Sequence, residues 1–140
     1  VILDYLQLVS PPPNRRADSR ATEVSEMSRG IKIMAKDLGI PVIALSQLSR
    51  KNEDRTGHHG KRPQLSDLRE SGSIEQDADI VILLDRSMTE DEGAREDRPD
   101  YGITQFVVAK NRSGPLGIID MAFFAEKTKF LEVDTHHDDV

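Results

Sequence analysis

The first eight residues read VILDYLQL, and they open on an apolar run, residues 1–3, that ends at the carboxylate of Asp4. A continuous run of β-prone apolar residues is typical of a strand buried on both faces, as in a parallel sheet. A second run, residues 42–45, leads to Gln47, and a third spans residues 80–84. The sequence therefore predicts three buried strands.

A helix is predicted between the first two strands. Apolar residues recur there at steps of three and four from about Thr22, and Gly39 follows the last of them, where a left-handed cap ends many helices. The recurring positions are Val24, Met27, Ile31, Met34 and Leu38. Strands alternating with helices predict an α/β domain with a mostly parallel sheet flanked by helices. Ligands of such sheets bind at the carboxyl ends of the strands, where Asp4 and Gln47 lie.

The second half of the chain predicts a β-hairpin. Residues 103–109 and 117–124 are strand-like, and they flank the turn sequence KNRSGP at residues 110–115. Short helices are predicted from about Ser66 and Ser73. Polar stretches at residues 49–65 and 87–100 are interpreted as loops, and 87–100 receives no role.

Composition indicates a globular protein, with 36% hydrophobic and 31% charged residues among 140. No apolar run approaches the length of a membrane span, no leader peptide is recognisable, and there is no cysteine, so we expect a cytoplasmic location and no membrane partner. The net charge is -6, but residues 1–64 carry 11 Lys/Arg against 7 Asp/Glu, a net of +4. A local basic surface suffices for nucleic acid, so the acidic total does not exclude DNA.

Asp4 and Gln47 are candidates for a nucleotide site. A carboxylate that directly follows a buried strand can hold magnesium near ATP phosphates, although the same residue also caps ordinary turns. A neutral amide at the neighbouring strand end can donate a hydrogen bond to a phosphate oxygen, although it can equally cap a strand. Their expected position on one edge of the sheet favours the functional interpretation of both.

Cations and polar groups elsewhere offer further candidates. Lys110 and Arg112 are spaced i, i+2, which puts side chains on the same side of a strand, and a cation from a neighbouring subunit can neutralise charge in phosphoryl transfer. A solvated hairpin tip is the competing interpretation. In SDLRESGSIEQDAD, residues 66–79, Arg69 could contact a DNA phosphate and Gly72 could allow close backbone approach. The adjacent His58 and His59 have no companion at metal-ligand spacing.

Taken together, four segments resemble DnaB-type replicative DNA helicases in order and spacing. They are VILDYLQL, PVIALSQLSR, LSDLRESGSIEQDADIVILLDR and VVAKNRSGPLG, and the resemblance covers roughly residues 1–86 and 103–125. The string SDLRESGSIEQDAD is the most specific of them. The resemblance implies a RecA-like fold at residues 1–134 with a tail at 135–140, in a homo-hexamer that moves along single-stranded DNA using ATP and Mg²⁺.

The resemblance also implies a role for each candidate residue. Asp4 is expected to hold Mg²⁺ through water, and Gln47 to sense the nucleotide phosphate and couple hydrolysis to the DNA-facing loops. Lys110 and Arg112 are expected to enter the neighbouring subunit's nucleotide site. Arg69, Glu70 and Gly72 match the loop that contacts DNA, and residues 15–20 another channel-facing region. Primase and a helicase loader are expected partners.

The sequence contains no GxxxxGK[ST] phosphate loop, and the chain starts inside a strand. We therefore expect it to be the C-terminal half of a motor domain that is inactive alone, with the water-orienting glutamate upstream. Two alternatives remain at this point. The parent could be a RecA-like recombinase or regulatory ATPase, or the chain could be a non-catalytic module that binds DNA or a partner.

Overall fold

The computed structural model describes residues 1–9, 19–49, 62–86 and 102–133. The chain divides into two compact units. Unit 1 comprises Val1–Asp54 and Gln64–Asp79, and unit 2 comprises Arg55–Pro63 and Ile80–Val140. Several sequence predictions lie outside the described residues, namely those for Arg15, Arg16, His58, His59, the 87–100 loop and the 135–140 tail.

Unit 1 contains the predicted pair of parallel strands. Strand β1 (Ile2–Leu3) pairs with β2 (Ile43–Ala44), with Leu3 opposite Ala44. The ladder continues beyond both strands, since Leu45 N–H donates to the Leu3 carbonyl and Leu6 N–H to the Leu45 carbonyl, both at 2.9 Å. A 3₁₀ helix (Leu6–Leu8) follows β1, and the side chain of Leu6 is buried. The prediction of two adjacent parallel strands is confirmed, but the prediction that both are buried is wrong, since Ile2 and Ile43 are 71% and 61% exposed.

Helix α1 (Arg20–Leu38) connects these strands, and both of its ends are set by local chemistry. The Ser19 hydroxyl accepts a 3.2 Å hydrogen bond from Thr22 N–H, which satisfies one of the free donors of the first turn. Gly39 ends the helix with φ +64°, the left-handed conformation that glycine adopts without a steric penalty. The predicted cap is confirmed, and the helix begins two residues before the predicted start.

The rest of unit 1 packs against α1. A 3₁₀ helix (Leu65–Ser71) leads directly into α2 (Gly72–Asp77). The buried Ser28 hydroxyl on α1 donates a 2.7 Å hydrogen bond to the Asp77 carboxylate. Lys32, one turn further along α1, forms an ion pair with Asp79. These two contacts fix α2 against the middle of α1.

Unit 2 contains a four-stranded antiparallel sheet of order β3-β4-β5-β6. Its strands are β3 (Ile80–Asp85), β4 (Ile103–Asn111), β5 (Gly117–Phe124) and β6 (Lys129–Glu132). The predicted hairpin is thus confirmed as β4–β5. The third apolar run, β3, pairs antiparallel with β4 among the described residues, because β4 returns alongside it.

Burial in β3 alternates instead of covering both faces. Val81, Leu83 and Asp85 are buried, whereas Ile80, Ile82 and Leu84 are at least half exposed. On the sheet, Phe130 of β6 packs edge-on against Phe106, with 5.2 Å between ring centroids. It also packs against Phe123 in a tilted arrangement, with 4.7 Å between centroids. No helix among the described residues is long and apolar enough to cross a membrane.

Candidate functional site

Asp4 lies directly after β1, at the carboxyl edge of the parallel pair. Its side chain is exposed, and it makes no hydrogen bond or ion pair with another residue in the part of the chain that the structure describes. The peptide bond between Asp4 and Tyr5 is cis. An exposed carboxylate at this edge, without a partner among the described residues, is chemically suited to bind a hard cation, directly or through water.

Gln47 follows β2 at the same edge, and its main chain is held on both sides. Its N–H donates to Oε1 of Gln7 at 3.4 Å, and its carbonyl accepts from the Ser46 hydroxyl at 3.4 Å. Gln7 Nε2 in turn donates to Ser46 Oγ at 3.0 Å. The Gln47 side chain is exposed and has no hydrogen-bond partner among the described residues. Its main chain is therefore held while its amide can meet a ligand.

The segment predicted to contact DNA begins with a capped turn. Asp67 is buried, and its carboxylate accepts a 2.8 Å hydrogen bond from the main-chain N–H of Gln64. The Gln64 side chain accepts from the Asp67 N–H, which completes a reciprocal capping box. Leu68 then interrupts the helical geometry with ψ +24°, and the backbone of Arg69 and Glu70 follows this kink.

Gly72 starts α2 with φ -51°, a conformation open to any residue. A Cβ added there would meet no atom within 4 Å. The packing of the described residues therefore does not demand glycine at this position, and the open space around its backbone is compatible with the close approach of a ligand. The structure places Gly72 next to the kinked 3₁₀ segment, at the junction of two short helices.

Lys110 and Arg112 lie in unit 2, at the end of β4. Lys110 is still in the strand, opposite Val81, whereas Arg112 is exposed and follows the last strand residue. The alternation argument for their side chains therefore does not apply, because only one of the two is in a strand. Both make interactions with other residues.

The hairpin turn is organised by Asn111. Its Oδ1 accepts from Ser113 N–H and its Nδ2 donates to the Pro115 carbonyl, both at 3.2 Å. These bonds span the turn on either side of Gly114. A Cβ at Gly114 would come within 2.7 Å of Asn111 Nδ2, so glycine is needed for the Asn111 side chain to close the turn.

Sequence reasoning missed the residues that position the candidates. Gln7 has no local signature, since its partners Ser46 and Gln47 are brought close only by folding. Asp67 does have a local partner, Gln64, three residues earlier, but glutamine and aspartate are not the usual residue pair of a capping box. In unit 2 the buried Asp85 pairs with Arg62 Nε at 3.2 Å, and Arg62 also donates to Gln105. The available signal for Asp85 was a carboxylate at the end of an apolar run, the same signal that identified Asp4.

In the part of the chain that the structure describes, potential metal ligands occur as isolated side chains. Among the described residues there is no group of three or more His, Cys, Asp or Glu placed to hold an ion. A site that relies on one carboxylate is characteristic of Mg²⁺ bound together with substrate phosphates and water. Asp4 fits such a site, and a fully protein-built metal centre is not found in this part of the chain.

Comparison with solved structures identifies the class of protein to which the chain belongs. The structure matches a solved structure described as an ATPase domain with a TM-score of 0.82 and 44% identity, over 95% of this chain and 44% of that one. It matches equally well, at TM-score 0.82 and 44% identity, "The Structure Of A DnaB-Like Replicative Helicase And Its Interactions With Primase", over 95% of this chain and 30% of that one. The fold is therefore that of part of a RecA-like ATPase domain, as the family resemblance implied.

The family follows from sequence. Residues 1–132 match the family model of the DnaB-like helicase C terminal domain, and the chain belongs to that family. The replicative DNA helicase DnaB of Geobacillus stearothermophilus is 45% identical over 139 residues, and the replicative DNA helicase DnaC of Bacillus subtilis (strain 168) is 46% identical over 139. Each alignment covers 99% of this chain and 29% of the relative, so the chain spans under a third of their length.

Proposed function

We propose that these residues form the C-terminal half of the ATP-driven motor of a hexameric replicative DNA helicase, with a domain boundary near residue 134. The complete protein is here named the parent helicase. One observation supports this most directly: the parallel register of β1 and β2 puts Asp4 and Gln47 at one strand edge. In a family of DnaB-like helicase domains, that edge is suited to bind nucleotide.

Asp4 is the proposed magnesium ligand. Mg²⁺ keeps several waters and takes one or two carboxylates plus phosphate oxygens, and the exposed, unpaired Asp4 carboxylate fits that requirement among the described residues. The bound ion would neutralise charge on the ATP phosphates. Asp4 would hold the ion through water, which leaves the coordination positions nearest the phosphates to ATP itself.

Gln47 is the proposed sensor of the nucleotide phosphate. Its exposed amide has a donor for a phosphate oxygen and is not used by another described residue. Hydrogen bonds to charged phosphate are stronger than those to neutral acceptors, so loss of the phosphate would release the amide. The segment after Gln47 would carry that change to the DNA-binding residues.

Lys110 and Arg112 are the proposed cations that act on the neighbouring subunit. The tight turn closed by Asn111 holds Arg112 at its first position, with the side chain exposed. An exposed guanidinium at the tip of a hairpin can contact a neighbouring subunit and stabilise the charge on a phosphoryl group during its transfer. This role requires a ring, because the nucleotide and the arginine come from different subunits.

Arg69, Glu70 and Gly72 are the proposed contacts to single-stranded DNA. They follow the kink at Leu68, where a short 3₁₀ helix changes direction. Main-chain and side-chain contacts to phosphates position a protein on DNA without reading sequence, as a translocating motor requires. Primase and a loader are proposed partners of the parent helicase, and one solved relative is described with primase.

The test of the proposed function is ATP turnover and strand separation by the purified parent helicase on forked DNA. We expect both to require Mg²⁺, and Asp4→Ala to reduce turnover while rings still assemble. Asp37→Asn, which neutralises an exposed carboxylate on α1, is the matched control and should retain activity. A parent protein that binds DNA but shows no DNA-stimulated ATP turnover would instead be a non-catalytic binding module.

A further inference from the structure

The main chain of Gln47 is enclosed in a small ring of hydrogen bonds. Gln7 Oε1 accepts from Gln47 N–H, Gln7 Nε2 donates to Ser46 Oγ, and the Ser46 hydroxyl donates to the Gln47 carbonyl. Both main-chain polar groups of Gln47 are therefore engaged by two side chains. The Gln47 side chain takes no part in this ring.

The orientation of the Gln7 amide follows from its partners. A main-chain N–H can only donate, so the oxygen of the Gln7 amide must face Gln47 and its nitrogen must face Ser46. The Ser46 hydroxyl, which accepts from Gln7, then has its own proton to donate to the Gln47 carbonyl, which lies 3.4 Å away. Each donor in the ring has one acceptor, and no atom donates twice or accepts twice.

Gln7 is itself fixed by contacts on both sides. Its carbonyl accepts a 2.6 Å hydrogen bond from Arg20 Nη2, and Arg20 is held in turn by an ion pair with Glu23 at 2.7 Å. The preceding residue, Leu6, is buried and bonded through its N–H to the Leu45 carbonyl. The Gln7 side chain therefore starts from an anchored main chain and ends on the segment that follows β2.

We infer that Gln7 is a positioning residue that, together with Ser46, sets the main chain of Gln47 so that its amide can detect the terminal phosphate. Gln7 links the strand that carries Asp4 to the segment that carries Gln47, so ligand and sensor keep a constant separation. A sensor amide must lie about 2.9 Å from its phosphate oxygen, and a displacement of about half an ångström already weakens that hydrogen bond. Such alignment depends on a fixed main chain. This inference rests on the proposed sensor role of Gln47.

Gln7→Met in the parent helicase tests the inference. Methionine approximates the volume of glutamine but provides neither hydrogen bond. We expect kcat for ATP hydrolysis to fall on the order of tenfold, while KM and ring assembly stay within about twofold of wild type, because nucleotide binding itself is untouched. The difference in DNA affinity between the ATP-analogue and ADP states should also shrink, a readout that a merely structural role would not move.

Gln47→Ala completes a double-mutant cycle. If Gln7 acts through Gln47, the double variant Gln7→Met/Gln47→Ala should turn over no more slowly than Gln47→Ala alone. Additive losses, or a normal kcat in Gln7→Met, would overturn the inference and leave the sensor role intact. A normal kcat in Gln47→Ala would overturn the sensor role, and the inference with it.

Ser46→Ala is the second variant, for the case in which Gln7→Met does not assemble. It removes the bond to the Gln47 carbonyl and the acceptor of Gln7 Nε2, but it leaves the Gln7–Gln47 contact. We therefore expect a smaller loss of kcat with the same non-additivity toward Gln47→Ala. Additivity of Ser46→Ala with Gln47→Ala would overturn the inference as well.

Discussion

The main-chain N–H of Ser49 donates a 3.0 Å hydrogen bond to the carbonyl oxygen of Asp67. Ser49 lies two residues after Gln47, and Asp67 lies two residues before Arg69. One hydrogen bond within unit 1 thus joins the proposed phosphate sensor segment to the proposed DNA-contacting segment. A displacement of the main chain at Gln47 can therefore be transmitted to the proposed DNA-contacting residues through this bond.

The Asp67 carboxylate stabilises the turn at the start of the proposed DNA-contacting segment. Asp67→Ala should therefore weaken the coupling between that segment and Gln47. The change removes the acceptor for the Gln64 N–H and opens the capping box, at a cost of about 1–2 kcal/mol in local stability. We expect stimulation of ATP turnover by single-stranded DNA to fall several-fold, with the DNA-independent rate kept. Asp67→Asn retains the acceptor oxygen and is the matched control. Equal stimulation in the two variants would contradict the prediction.

Arg112→Ala should lower turnover by roughly 10³-fold with nucleotide binding intact, as expected for a cation that contacts the transition state. Binding is measured by titration with a fluorescent nucleotide, and turnover by phosphate release. Arg112→Lys should restore little, because an ammonium lacks the planar fork of donors. A variant that binds ATP poorly but turns over normally at saturation would show that Arg112 acts in binding alone.

Mixed rings test whether Arg112 acts across subunits. We expect little ATP turnover from rings built only of Arg112→Ala subunits or only of Asp4→Ala subunits. In a mixed ring, some interfaces combine an intact Asp4 with an intact Arg112 from the neighbour, and these should recover part of the activity. If both residues served the same subunit's site, no mixture would recover any. Recovery that depends on the mixing ratio is therefore the expected result.

Gly114→Ala should disturb the presentation of Arg112 without unfolding the sheet. The added Cβ would meet Asn111 Nδ2 at 2.7 Å and displace the side chain that closes the turn. We expect turnover to fall about tenfold with thermal stability changed by no more than about 1 kcal/mol. Gly117→Ala is the control, since a Cβ there has open space. Equal activity of the two variants would rule out a role for the turn.

How far the sequence predicts the structure depends on how local each signal is. Helix α1 with its Gly39 cap, the separate strands β1 and β2, and the β4–β5 hairpin all have signals within a few residues, and the sequence predicts them. The parallel pairing of β1 with β2 is predicted instead from the strand–helix–strand order. Strand β6 is not predicted, because KFLE is only four residues long and has two adjacent apolar residues between two charged ones, with no alternation. The apolar run in β3 indicates burial but does not determine the direction of its partner.

The candidate site divides in the same way. Asp4 and Gln47 were identified because each ends an apolar run, which is a local pattern. The Gln7–Ser46 contact joins residues 39 apart, and no spacing in the sequence encodes it. In VILDYLQL, Gln7 lies between two leucines beyond the predicted strand, and nothing in its neighbourhood marks it. Positioning residues of this kind emerge only once folding has brought their partners together.

Alanine substitutions at Gly30 and Gly39 of the same helix are expected to change the stability of the protein in opposite directions. Gly30 lies inside α1, where a Cβ would meet nothing within 4 Å, so Gly30→Ala should stabilise the protein by about 1 kcal/mol. Gly39 has φ +64°, so Gly39→Ala should destabilise it by about 1 kcal/mol. Urea unfolding midpoints of the parent helicase measure both. Shifts of the same sign would contradict the assignment of the helix end.

Thr104 on β4 offers a test of the core of unit 2. Its side chain is fully buried, and its hydroxyl has no hydrogen-bond partner among the described residues. A buried, unpaired hydroxyl costs about 1–3 kcal/mol, so Thr104→Val, which replaces it by a methyl group of similar size, should raise stability by about 1 kcal/mol. Thr104→Ser keeps the hydroxyl and removes the methyl group, so it should lower stability through the small cavity it leaves. The unfolding midpoints should therefore rank valine above threonine and threonine above serine. A valine variant that unfolds before wild type would mean that the hydroxyl is bonded in the assembled ring.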